Sequence, residues 1–356
     1  MTAGAGGSNQ GGAVDGGGAI GGNGGAAPTA WVVATHVDDV SRPDEVSAVA
    51  VGDDDLVAWV DHALPQIFTA AEDGATLIEV PVLEAAAMCS ISMATSAAPK
   101  ELHGLHAQAT HVYAFCEATS GRVSPCEFTW DGLQNGHDGA GNAVKNCDVQ
   151  NDLGPGNISA AGDGHFALRE PQGQLCSARA VADAPATFWG SPEPGLNDVG
   201  PLAVLPAPDF ESGTLAWTTL DGAAWRLRWG TGFDDADLEE RQLADRPSAV
   251  VSLGPYIYVA QTGGIARFDS ATASAPDEVT FNPEVVSLAS FASFVFAATP
   301  NGLYVVPAAF EPGATVELVA GTEGWQVLHL SATEHALYAG VTDGATSAIL
   351  RVTPAN

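Results

Sequence analysis

The sequence predicts an all-β fold, a seven-bladed β-propeller closed by its N-terminal strand, and three observations carry that expectation. Short hydrophobic runs of strand length recur at intervals of roughly 40–55 residues. Within them apolar residues alternate with period 2, the signature of a strand with one buried face. A strand-like run at the start of the chain also matches a run missing from the last repeat. Glycine (41) and proline (22) supply the turns that so many short strands need.

Residues 1–28 hold no aromatic residue and one isoleucine among many glycines. Such a segment buries too little apolar surface to offset its backbone entropy, so it reads as a disordered tether. It lacks the charged start and apolar run of a signal peptide. Order is expected from residue 29, where "AWVVATHV" (Ala30 to Val37) is a β-branched run of strand length. The most regular repeat element follows as "DLVAWV" from Asp55, "HVYAFC" from His111, "HFALRE" from His165 and "TLAWTT" from Thr214. It continues as "YIYVAQ" from Tyr256, "SFVFAA" from Ser293 and "ALYAGV" from Ala336. Each is preceded by a run of small and aliphatic residues, such as "VSAVAVG" (Val46) or "WQVLHLS" (Trp325). A third run follows a Gly- or Asp-marked turn, and a fourth precedes the next unit. The last unit stops after three, with "AILRVT" (Ala348) at its end. The N-terminal run can supply the fourth strand, which removes an exposed edge. The irregular 201–247 region leaves six or eight blades open, and paired β-sandwiches are the competing architecture.

The unit "FTAAEDGATLIEVP" (Phe68 to Pro81) is similar to the hairpin turn of Asp-box repeats, with Glu72 at the Asp position and Leu77 at the Trp position. "ATHVYA" (Ala109 to Ala114) and "HALYAGVTDGATSAILRV" (His335 to Val352) also look like units of secreted bacterial propellers. The chain thus resembles bacterial extracellular propellers of the sialidase-like, Asp-box (BNR) kind. That resemblance implies a fold rather than a chemistry, because Asp boxes are structural turns. Sialidases proper also carry an arginine trio and a Tyr–Glu pair. No such early arginine motif is present here, and Tyr256 and Tyr258 lie inside a regular strand run. The tether resembles the Gly-rich spacer after the lipidated cysteine of surface lipoproteins, which leaves room for a lipid tether upstream of it.

Charge narrows the partners. Lys+Arg is 12 and Asp+Glu is 43, a formal net charge of −31. A surface that negative repels phosphate backbones and anionic head groups, so nucleic acid is not an expected partner. No apolar stretch is long enough for a transmembrane helix.

Five cysteines, Cys89, Cys116, Cys126, Cys147 and Cys176, lie in the first half without a CxxC pair, so no metal site is expected. Cys116 and Cys126 fall on neighbouring strands across a hairpin and are the candidate disulfide. Cys126 with Cys147 is the alternative, and free thiols are the third possibility. His103 and His106, three apart on one strand, are expected on opposite faces. Asp53–Asp55 and Asp234–Glu240 read as solvated acidic loops, because neither has the spacing of a calcium site. The densest aromatic and basic stretch is "LAWTTLDGAAWRLRWGTG". Alternation puts Trp225, Leu227 and Trp229 on one face of a strand, with Arg226 and Arg228 on the other. Together with Trp217 these form the candidate ligand surface, since aromatic faces suit sugars and arginines suit carboxylates. The competing reading has the tryptophans filling the core and the arginines pairing with acidic neighbours.

No Ser-His-Asp set, phosphate loop or cofactor motif is legible. The expected function is therefore a non-enzymatic, secreted or surface-bound bacterial binding or scaffold propeller, with a protein or carbohydrate ligand and no cofactor. A polysaccharide hydrolase or lyase and a structural subunit of a surface layer are the alternatives.

Overall fold

The computed structural model describes residues 30–63, 66–70, 78–81, 99–107, 111–118, 123–130, 158–160, 165–169, 175–181, 184–188, 198–205, 214–230, 238–272, 274–307, 310 and 315–355. Between residues 66 and 205 the description is largely of backbone. The expected tether and the centre of the Asp-box-like turn (71–77) lie outside the described residues.

The described chain is all β. β1 (Trp31–Val37) opens it. The first sheet follows as β2 (Glu45–Val51), β3 (Asp54–Val60), β4 (Gln66–Ala70) and β5 (Ile78–Pro81). The second has β6 (Pro99–Ala107), β7 (His111–Ala118) and β8 (Val123–Thr129). The third has β9 (Ile158–Ala160), β10 (His165–Arg169), β11 (Leu175–Val181) and β12 (Ala184–Phe188). The fourth has β13 (Asp198–Leu205), β14 (Thr214–Asp221), β15 (Ala224–Gly230) and β16 (Glu239–Gln242). The fifth has β17 (Ala249–Leu253), β18 (Tyr256–Gln261), β19 (Gly264–Asp269) and β20 (Asp277–Thr280). The sixth has β21 (Ser287–Phe291), β22 (Phe294–Thr299), β23 (Gly302–Val306) and β24 (Glu317–Leu318). The last has β25 (Gln326–Ala332), β26 (Leu337–Thr342) and β27 (Ser347–Pro354). Each is an antiparallel meander in chain order, except that β1 joins the last sheet beside β27.

That pairing runs from Trp31 opposite Pro354 to Val37 opposite Ile349, with a register shift between Thr35 and Val37. Trp31 then packs edge-on against Phe294 and Phe296, at centroid distances of 5.5 and 4.8 Å. The spare N-terminal run and the incomplete last unit therefore meet in one ladder.

Alternating apolar residues form their cores between sheets. Val57, Trp59 and Phe68 of the first sheet pack on Tyr338 and Ile349 of the last. Leu337 and Leu350 of the last sheet face Phe296 and Leu303 of the sixth. Leu227 and Trp229 face Ile257 and Phe268, and Tyr258 and Val279 face Val295 and Val306. Each such buried side chain contributes on the order of 1.5–3 kcal/mol.

The first strands of successive sheets are neighbours. β2 touches β6, β6 touches β9, β9 touches β13, β13 touches β17, β17 touches β21, β21 touches β25, and β25 touches β2. Each first strand has one edge without a ladder, whose N–H groups need acceptors. Side chains of an adjoining sheet supply them. Leu330 N–H donates to Ser287 Oγ (3.3 Å) and Ala48 N–H to Ser331 Oγ (2.9 Å). Ala107 N–H donates to Ser47 Oγ (2.7 Å) and Leu105 N–H to Glu45 Oε2 (2.8 Å).

Candidate functional site

The aromatic and arginine stretch lies on the central strands of the fourth sheet. Residues directly opposite in an antiparallel ladder share a face. Arg226 stands opposite Thr219 and Gln242, and Arg228 opposite Trp217 and Glu240. Trp217 thus joins the arginine face, whereas Trp225, Leu227 and Trp229 share the other. Only cross-strand register reveals that division.

Trp217 is fully buried and Trp229 nearly so. The Trp229 indole N–H donates to the Ser270 carbonyl (3.1 Å), and Arg241 lies over its ring. Stacking on a sugar requires an open ring face, so both of these tryptophans serve packing. Trp225 is half-buried against the fifth sheet, with the exposed Arg246 guanidinium 5.9 Å from its ring centroid. Glu240 bridges the two arginines: Arg226 reaches one carboxylate oxygen, and Arg228 Nε donates to the other at 2.8 Å. Arg226 also approaches Asp221 (3.0 Å). The Asp234–Glu240 reading changes here, because Glu239 and Glu240 stand on β16 as ladder partners of β15 rather than in a loop. Asp234–Asp237 lie outside the described residues.

A second polar centre forms around Asp55. Of the acidic run Asp53–Asp55, Asp53 stays in an exposed turn, but Asp55 is fully buried. The reason is parity: on β3, Asp55 shares a face with Val57 and Trp59, which pack on the last sheet. Its Oδ2 accepts from Thr333 Oγ1 (2.9 Å) and the Tyr338 hydroxyl (2.8 Å), and its Oδ1 meets His335 Nδ1 (2.9 Å). Burial pushes the Tyr338 phenol well above its ordinary range, and its bond to Asp55 adds to the shift, while Arg351 opposes it. An Asp–His pair can orient an imidazole as a base. Here the neighbouring hydroxyl, Thr333 Oγ1, donates to Asp55 rather than to the imidazole, so the group holds the fold together.

A third group gathers where the first, second and last sheets adjoin. His62 Nε2 lies 2.9 Å from Glu45 Oε1. That bond raises the His62 pKa against the effect of burial, aided by the charges of Glu45, Asp44 and Asp61. His329 Nδ1 lies 3.0 Å from the Val46 carbonyl and 3.3 Å from the Val46 nitrogen. Burial pushes the His329 pKa down, with Glu45 pulling it up. Among the described residues no set of three His, Cys, Asp or Glu is placed to hold a metal ion.

His103 and His106 do not follow simple alternation. The ladder shifts register between His103 and Leu105, so His103 stands opposite Phe115 and His106 opposite Tyr113. A bulge of this kind cannot be read from spacing. Cys116 stands opposite Ser124 and Cys126 opposite Ala114, on adjacent strands and one diagonal step apart. Their side chains lie outside the described residues, as do Cys89 and Cys147.

No protein-family model matches this chain, and no curated protein matches it in sequence. Among solved structures it is similar in fold to AztD from Citrobacter koseri. One AztD crystal structure has a TM-score of 0.50 at 12% identity, covering 82% of this chain and 95% of that one. The apo AztD structure has a TM-score of 0.49 at 12% identity, covering 83% and 96%. At such identity the likeness concerns the fold, which is β-propeller-like.

Proposed function

We propose that this chain is a seven-bladed β-propeller closed by β1, acting outside the cytoplasm of a bacterium as a binding or scaffold module rather than an enzyme. The succession of first-strand contacts, returning from β25 to β2, supports the ring, and the β1–β27 ladder supports its closure. On this reading residues 29–356 form the propeller and residues 1–28 the tether. No helix among the described residues is long and apolar enough to cross a membrane.

One observation carries the binding reading: among the described residues, three carboxylates that meet histidine, tyrosine or arginine side chains are bonded into the fold. Asp55 holds Thr333, His335 and Tyr338, Glu45 holds His62 and Leu105 N–H, and Glu240 holds Arg226 and Arg228. Groups so engaged build a rigid frame, and recognition falls to the loops at the two ends of the sheets. Trp225 and Arg246 lie beside such connections, and a protein or glycan is the expected ligand class.

Glycan and peptide arrays probed with the full chain, beside a polysaccharide hydrolysis assay, test this. Saturable binding that Trp225→Ala weakens tenfold or more, without turnover, is the expected result. Turnover abolished by Glu240→Gln would replace the binding reading with a hydrolase.

A further inference from the structure

Arginine side chains in this acidic chain are mostly neutralised by a neighbour. Arg42 meets Asp44 (2.6 Å), Arg241 meets Glu239 (3.5 Å) and Arg267 meets Asp277 (2.6 Å). Arg226 and Arg228 share Glu240, and Arg351 stands beside Tyr338. Arg246 differs: it is exposed and meets no carboxylate among the described residues. Its side-chain contact is aromatic, with the guanidinium carbon 5.9 Å from the centroid of the Trp225 ring.

The surroundings hold that pair in place. Arg246 lies in the connection 243–248 between β16 and β17, with Leu243 and Pro247 buried on either side of it. Leu243 N–H donates to the Trp225 carbonyl (2.8 Å), and Ser248 N–H to the Ala260 carbonyl (3.0 Å). Between them Asp245 N–H donates to Gln261 Oε1 (3.0 Å), and Arg246 N–H to Asp245 Oδ1 (2.8 Å). Pro247 restricts the preceding backbone, that of Arg246, to extended conformations. The indole is confined as well, since a Cβ on Gly200 would lie 3.2 Å from the Trp225 ring and 3.5 Å from Pro247.

We propose that Trp225 and Arg246 bind a carboxylate-bearing sugar, such as a uronate unit of a glycan. This rests on the binding surface given above and names its ligand. A guanidinium held over an indole uses its face on the ring and keeps its edge of N–H donors for a ligand. That edge matches the two oxygens of one carboxylate. No open indole face is needed, because the ring backs the guanidinium and not the sugar. The nearby side chains are of opposite charge. Asp245 precedes Arg246, and the exposed Asp221 stands opposite Ala224, the residue before Trp225. Ionised carboxylates accept hydrogen bonds from sugar hydroxyls. They also repel a ligand with several negative charges, as does the chain's formal net charge of −31. An acidic sugar offers one carboxylate to Arg246 and hydroxyl donors to the aspartates, whereas an acidic peptide brings carboxylates alone.

An array of uronate-bearing oligosaccharides, each printed beside its carboxyl-reduced form, reads this with the full chain. Glutamate-containing peptides matched in number of carboxylates are printed with them. The acidic member of a pair is expected to bind at least about tenfold more tightly than the reduced one, the scale of a charge-assisted bond. Arg246→Gln should remove that preference without moving the urea midpoint, since the side chain is exposed. Arg246→Lys should restore only part of it, because lysine keeps the charge and loses the fork. Equal binding to both members of every pair, or a preference that survives Arg246→Gln, overturns the carboxylate assignment. If Trp225→Ala still abolishes that binding, the surface stands and only its ligand is wrong. Tighter binding to the peptides overturns the sugar, and binding to neither overturns this inference together with the surface beneath it.

Discussion

Asp55 accepts hydrogen bonds from side chains 278 to 283 residues further along the chain. Its burial is tolerable only because three groups converge on it. Asp55→Ala leaves those donors buried without their acceptor and is expected to cost about 3 kcal/mol. Tyr338→Phe removes one donor to a charged acceptor, at about 1.5–3 kcal/mol. Urea denaturation measures both as a fall in midpoint at constant slope, and a cost below about 0.5 kcal/mol for Asp55→Ala would place it among ordinary surface positions. His62 behaves oppositely to His329. Its raised pKa means that its bond to Glu45 contributes stability that is fully present below pH 6.5 and lost as pH rises through the higher folded value. The side chain is 38% exposed, so solvent screening keeps the effect at or below about 1 kcal/mol. Comparing His62→Gln with the unsubstituted protein at pH 6 and pH 8.5 should show a difference only at the lower pH.

At the scale of elements, β1 has the most to explain. It adds a full ladder to β27 and sets Trp31 among Phe291, Phe294 and Phe296. Trp31→Ala removes this cluster and is expected to cost about 3 kcal/mol. Deletion of residues 30–37 should lower the thermal midpoint further, because β27 then presents a bare edge. Calorimetry that finds the deletion neutral would refute the role of β1 as an integral strand. β26 approaches the segment before β2 so closely that a Cβ on Gly340 would lie 2.5 Å from the Pro43 carbonyl oxygen. Glycine there permits the first and last sheets to meet.

At the scale of the whole molecule, the inter-sheet cores take in Trp59 and Trp229. The register sets Cys116 and Cys126 one diagonal step apart on β7 and β8. Diagonal neighbours in an antiparallel ladder stand about 7–8 Å apart, more than a disulfide ordinarily spans. Mass spectrometry with and without reduction is therefore expected to find no bridge between these two cysteines, and a reducible Cys116–Cys126 link would show that the β7–β8 register shifts.

The order of strands was legible because burial on one face imposes period 2 on each run, and turns impose glycine and aspartate between runs. "YIYVAQ" coincides with β18, and the spare first strand and the incomplete last unit proved to be partners. The split of Trp225 and Trp229 from Arg226 and Arg228 followed from the same alternation. What one strand's pattern does not contain is the identity of its neighbours. That Trp217 shares a face with Arg228, that a bulge interrupts His103 and His106, and that Asp55 is buried beneath Tyr338 are all matters of register between strands. Local sequence determines which residues alternate. Contacts across hundreds of residues decide which face meets water, because burial belongs to a pair of packed surfaces and not to either alone.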